Sequence, residues 1–166
     1  MVFAGGSTKD QASNEPHDFV VVPGQGIEST TTHKPWDIAL YFYQDFWNAA
    51  DNPKRKANVM IGGTGYEDDP QFAQYNVFAN VEAFGLMTSR PHDRMGVGGW
   101  YNVLSGNYKD LVSPVVDIRD LWGSELYYNV QLAPSLHVTP NIQLVQNAHN
   151  DDDMAVILGV RAVMDF

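Results

Sequence analysis

The sequence predicts an all-β fold, an antiparallel transmembrane β-barrel with about eight strands in this chain. Three observations carry that expectation: stretches near ten residues alternate apolar and polar side chains, short and long connections alternate, and aromatics and glycines are many where charges are few. Only 18% of the 166 residues are charged, against about 25% in an ordinary soluble domain. Gly, Tyr, Phe and Trp number 14, 8, 8 and 4, a composition that suits strands and tight turns.

Each strand follows from its period. MVFAGGS reads as the end of a strand, and DIALYFYQDFW and NVMIGGTGY are strand-like by β-branched and aromatic content, with their faces left open. AQYNVFANVEAFGLM sets Tyr75, Val77, Ala79, Val81 and Ala83 against Asn76, Phe78, Asn80, Glu82 and Phe84. RMGVGGWYNVL sets Met95, Val97, Gly99, Tyr101 and Val103 against Arg94, Gly96, Gly98, Trp100 and Asn102. In SELYYNVQL, Leu126, Tyr128, Val130 and Leu132 oppose Glu125, Tyr127, Asn129 and Gln131. LHVTPNIQLV separates Leu136, Val138, Pro140, Ile142 and Leu144 from His137, Thr139, Asn141, Gln143 and Val145. AVILGVRAVMDF places both of its charges, Arg161 and Asp165, on one face and Phe166, Met164, Ala162, Val160, Leu158 and Val156 on the other.

The connections separate by length. Ala133 to Ser135 and Thr88 to Asp93 are short; Leu104 to Trp122 and Lys9 to Lys34 are long. Asn48 to Lys56 and Tyr66 to Phe72 are intermediate, and VVDIRDLW reads as a short helical turn. No internal repeat of 20 to 50 residues and no capped helix of standard length is present.

Composition excludes several classes of function. Ten basic against 20 acidic residues, a net charge of -10 and a pI near 4.6 argue against a nucleic-acid partner. The lack of Cys removes disulfide scaffolds, thiolate metal sites and a cysteine nucleophile. No window reaches the roughly 18 apolar residues of a membrane helix, which leaves membrane strands open. The start, MVFAGGSTKD, lacks the basic and apolar regions of a secretory signal, as a mature, cut or cytoplasmic chain would.

A soluble β-sandwich that binds carbohydrate would show the same alternation and is the alternative. Against it, the polar faces carry Asn, Gln, Thr, Glu and Arg, while the lysines that protect the edges of soluble sheets are confined to connections. Arg161 adds a distance argument. Five residues from Phe166, at about 3.4 Å per residue and a tilt near 40°, it stands roughly 13 Å up a band about 25 Å tall. On the lipid side it would cost about 2–4 kcal/mol, so it is expected to face the lumen.

The segment SELYYNVQLAPSLHVTPNIQLVQNAHNDDDMAVILGVRAVMDF resembles the carboxy-terminal end of the OprB-type carbohydrate-selective porins. In that family a YY-bearing strand, a short turn, a strand with a TPN/D-hydrophobic-Q core and a closing G-hydrophobic-R…DF strand follow one another. SRPHDRMGVGGWYNVLS is similar to the family's GRP-x-D-x-hydrophobic-G strand start. Ser135 and the acidic loop HNDDD depart from the pattern. The resemblance covers Asn58 to Phe166 well and Met1 to Trp47 loosely. It implies an outer-membrane barrel of about sixteen strands that passes sugars, of which 1–166 would be a single-domain, incomplete carboxy-terminal part; an independent eight-stranded barrel is the runner-up. It further implies outer-membrane lipid, small carbohydrates and the barrel-insertion machinery, acting through Phe166, as partners, and admits a homo-oligomer.

Arg161, Glu125, Asn129, Gln131, Asn141, Gln143, Asn80, Glu82, Arg94 and Trp100 are the expected lumen lining, since sugar passage needs hydrogen-bonding groups, aromatic faces and a few charges along a wet wall. Glu82 and Glu125 stand in no glycosidase motif, and an enzyme is not expected. His149 with Asp151, Asp152 and Asp153 lacks the spacing of a calcium loop and reads as a solvated loop. His17, His33, His92 and His137 are scattered, and Gly24-Gln25-Gly26 and Gly62-Gly63-x-Gly65 lack the context of a phosphate cradle. No metal, cofactor or catalytic residue is expected.

Overall fold

Eight strands form one antiparallel sheet in the computed structural model, which describes residues 1–6, 10–12, 18–24, 26–29, 31–67 and 71–164. In chain order the strands are β1 (Val2–Gly6), β2 (Gln11–Ala12), β3 (Phe19–Val22), β4 (Gly26–Ser29), β5 (Thr32–His33), β6 (Trp36–Asn48), β7 (Lys56–Tyr66), β8 (Ala73–Phe84) and β9 (Arg94–Leu104). After helix α1 (Gly106–Val112) come β10 (Leu121–Ala133), β11 (Leu136–Gln146) and β12 (Ala155–Met164). The large sheet runs β1-β6-β7-β8-β9-β10-β11-β12, each strand beside its sequence neighbour once β2–β5 are set aside. Those four short strands make two small ladders, β2 with β5 and β3 with β4, inside what the sequence suggests is a plain loop rich in Ser, Thr, Gly and Pro.

Among the described residues the main sheet stays open: it begins at β1 and ends at β12, which do not pair. An open sheet is consistent with part of a larger barrel rather than an independent eight-stranded one, since an unpaired strand edge cannot stand in hydrocarbon. The sandwich loses its ground as well. Among the described residues the remaining sheet is limited to the two small ladders, while the apolar face keeps Leu40 56%, Val97 52%, Leu126 50% and Leu158 78% exposed. Soluble monomers seldom expose apolar patches beyond a few hundred Å², so a face of this kind running from β6 to β12 marks contact with lipid.

Register fixes the faces of β6 and β7, which alternation alone leaves open. Directly opposed residues share a face, so Asp37, Ala39, Tyr41, Tyr43 and Asp45 stand with Tyr66, Thr64, Gly62, Met60 and Asn58 and, through β8, with Asn76, Phe78, Asn80 and Glu82. A bulge between Asp45 and Trp47 shifts the register where β6 ends. Lys56, expected in a connection, opens β7 and pairs with Asp45 at 3.0 Å.

Connections at one end of the sheet are short and laced together. Arg55, in the turn after β6, donates from Nε to the Gly85 carbonyl at 2.7 Å and from Nη2 to that of Leu86 at 3.3 Å, joining this turn to the next. Gly85 takes φ +58°, and a Cβ there would stand 2.5 Å from the Pro91 carbonyl oxygen, so only glycine fits. Asp93, 5% exposed, receives Arg90 Nε at 2.7 Å, the Tyr128 hydroxyl at 2.6 Å and the Gln131 N–H at 3.0 Å. Burial pushes its carboxyl up, but these donors outweigh burial and hold it at about 2.

At the other end, α1 starts on Ser105, whose hydroxyl accepts the Tyr108 N–H at 3.3 Å. The helical segment thus lies at Gly106–Val112, ahead of the VVDIRDLW stretch the sequence suggests. The reason is local: Asp120 is committed to the Leu104 N–H at 3.0 Å and Lys109 Nζ at 2.6 Å, which draws the stretch before β10 back onto the sheet. The Lys109 and Leu104 donors outweigh burial and hold the Asp120 carboxyl below its usual range. An Ile118–His149 bridge, with Arg119 N–H on the Ala148 carbonyl at 2.8 Å, ties this loop to the one after β11. Phe166 and Asp165 lie outside the described residues.

Candidate functional site

The polar face of β6 to β12 gathers most of the titratable and amide side chains of the strands. Glu125 on β10 is bonded by Asn141 on β11 and by Arg161 on β12, whose Nη2 stands 3.4 Å away. Two strands further round, Glu82 on β8 accepts the Tyr127 hydroxyl and faces Arg94 Nε at 3.4 Å. Arg94 also lies 5.6 Å over the Phe84 ring. Asn129 donates to the Thr139 hydroxyl at 2.7 Å, and His137 Nδ1 meets its carbonyl oxygen at 3.2 Å. A third pair extends the series to β6, where Asp45 accepts both Lys56 and, at 2.8 Å, the Tyr43 hydroxyl.

These groups line a stepped trough. A recess of about 400 Å³ lies among Asn76, Phe78, Asn80, Trp100, Glu125, Tyr127 and Gln143. A second of about 300 Å³ shares Glu125 and Tyr127 and adds Arg94, Asn129, Thr139 and Arg161. A third of about 360 Å³ continues past Arg94 and Asn129 to His92 and His137. The Asn80 side-chain oxygen, buried beside the first recess, has no hydrogen-bond partner among the described residues.

Of the ten residues singled out from sequence, seven line these recesses, and Glu82 and Asn141 are bonded to the lining residues Tyr127 and Glu125. Gln131 does not enter it: its amide nitrogen donates to the Pro134 carbonyl at 3.4 Å and its backbone is held by Asp93 and Arg90, so it belongs to the turn. Sequence reasoning missed Asp45, Lys56 and Tyr43 because the faces of β6 and β7 were open. It also passed over Tyr127, whose inward parity was visible and whose link to Glu82 was not.

Arg161 and Glu125 stay accessible, 64% and 36% exposed at the side chain, whereas Glu82 is 18% exposed. Paired charges of this kind keep a wall polar and hydrated while leaving lone pairs and N–H groups for a passing solute. Among the described residues, no cluster of three or more His, Asp or Glu has the geometry to hold a metal ion.

Comparison with known proteins agrees with this architecture. Residues 7–166 match the family described as carbohydrate-selective porin, OprB family. The fold is similar to that of Pseudomonas putida OprB, in a structure determined at high pH, with a TM-score of 0.81 at 17% identity. The alignment covers 99% of this chain and 44% of that one, so the chain spans less than half of its structural neighbour. No curated protein matches the sequence.

Proposed function

Because the chain belongs to the carbohydrate-selective porins of the OprB family, we propose that it supplies the carboxy-terminal part of an outer-membrane channel through which sugars diffuse passively. Its polar face forms one wall of the lumen, and its apolar face meets lipid. The observation that carries this reading is the segregation itself: three ion pairs and a set of amides lie on one face of a sheet whose other face exposes only apolar bulk at mid-strand.

Passage needs no covalent step. A sugar entering the trough exchanges water for hydrogen bonds to Asn80, Asn129, Asn141, Gln143, Glu82, Glu125, Arg94 and Arg161, each weak enough to be released at the next step. Further strands of the whole protein, about sixteen in all, pair with the β1 and β12 edges. Phe166, the last residue of the sequence, is read by the machinery that inserts barrels.

Planar-bilayer recording on the whole porin, purified from outer membranes, tests the proposal. Stable conductance that falls in steps on adding oligosaccharide is expected. A protein recovered from the soluble fraction, or one that conducts with no response to any sugar, overturns it.

A further inference from the structure

The trough described above ends, toward the long loops, in a feature that the ion pairs do not explain. One row of directly opposed residues on the polar face reads Tyr41, Gly62, Phe78, Trp100, Gly123 across five strands, β6 to β10. Aromatic rings and glycines share this row, and the rings lie down on the glycines. A Cβ on Gly62 would meet the Phe78 ring at 2.6 Å and the Tyr41 ring at 2.8 Å; one on Gly123 would meet Trp100 at 2.7 Å. Tyr41 and Phe78 converge with centroids 5.9 Å apart. Phe78 and Trp100 line the first recess, and Tyr41 flanks Phe78. Trp100 remains 36% exposed and Tyr41 37%.

We infer that Phe78 and Trp100, flanked by Tyr41, form a glycine-seated ledge that binds the apolar face of a pyranose ring. This rests on the channel reading and assigns it a substrate class, ring-form sugars in preference to open-chain polyols. A pyranose presents a flat patch of C–H bonds on one face and hydroxyls around its rim. The ledge supplies π surface, and the recess that Phe78 and Trp100 line supplies the rim with Gln143, Glu125 and Asn80. An acyclic polyol of similar composition has no such face and must lose several internal rotations to imitate one.

The order of contacts follows from register. The row of Lys56, Phe84 and Arg94 lies six residues from the ledge row, counted from Phe78 to Phe84, about 20 Å along the strands. Porins carry their longer loops outside the cell, so an entering solute meets the rings before the charges. The glycines set the depth of the ledge, because a side chain beneath a ring would lift it into the path.

Sugar-induced current noise in planar bilayers tests this on the whole porin, with a methyl pyranoside and a hexitol as probes. The wild type is expected to bind the pyranoside more tightly. Trp100→Leu keeps apolar bulk without a π face and should weaken pyranoside binding about fivefold while hexitol binding falls less, so that the pyranoside-to-hexitol ratio drops. Trp100→Phe should restore most of the difference, which a purely structural role for bulk at this site would not require. Where Trp100→Leu yields no heat-modifiable barrel, Phe78→Leu carries the same measurement. Equal binding of both probes by the wild type, or an unaltered ratio in the leucine variant, overturns the ledge while the channel stands. Absence of conductance in the wild type removes the channel reading itself.

Discussion

Exchanging Val160 and Arg161 tests the assignment of faces with composition and net charge held constant. Val160 opposes Pro140 on the apolar face and is 76% exposed, whereas Arg161 opposes Thr139 and reaches Glu125 on the other. Val160 is five residues from Ala155 and four from Met164. At about 3.4 Å per residue and a tilt near 40° it stands roughly 10–13 Å from either end, close to the bilayer midplane. A guanidinium there costs about 2–4 kcal/mol, equivalent to a factor of about thirty to several hundred in the folding equilibrium. Losing the exposed Glu125 pair adds at most about 1 kcal/mol, which Arg161→Val alone measures. Urea titration of the whole porin in lipid vesicles, with heat-modifiability on gels as the readout, separates the two contributions. Coincident midpoints for the exchange and for Arg161→Val would refute lipid contact at Val160.

Other outcomes follow from the same geometry. Asp93 has a folded pKa of about 2 against an ordinary 3.8, so its contribution to stability is complete above about pH 4 and is lost as pH falls toward 2. Urea midpoints should drop across that window, and Asp93→Asn should flatten the drop while lowering stability at pH 7. Gly85→Ala places a side chain at φ +58° against the Pro91 carbonyl and should destabilise by about 1–3 kcal/mol, read in the same titration. Glu125→Gln leaves Arg161 without its counter-charge, and reversal potentials in a salt gradient should shift toward anion selectivity.

The strands from β8 to β12 were legible because their alternation is nearly unbroken and register preserves it from strand to strand. β6 and β7 were strands by content and unreadable by face for a physical reason. Aromatics stand on both sides of β6, with Tyr41 and Tyr43 on one and Trp36 and Phe42 on the other, and β7 carries glycine at 62, 63 and 65. Lys56 and Asp45 were lost with those faces. The Asp93 turn was visible only as a motif, since its partners Tyr128 and Gln131 come from a strand more than 30 residues on. Likewise, no local pattern reveals that Gly62 or Gly123 lies beneath a ring, because the ring belongs to the neighbouring strand.

The laced turns have a consequence for how such a pore can change. Arg55 joins the turn after β6 to the one after β8, and Asp93 with Arg90 joins that turn to the end of β10, so three hairpins share one set of rim bonds. The calibre at that end is thereby set by backbone carbonyls and a single carboxylate, apart from the side chains that meet the solute. Residues of the trough can be exchanged one at a time while the spacing of the strands persists. The chemistry of passage is free to drift over a gauge that stays constant.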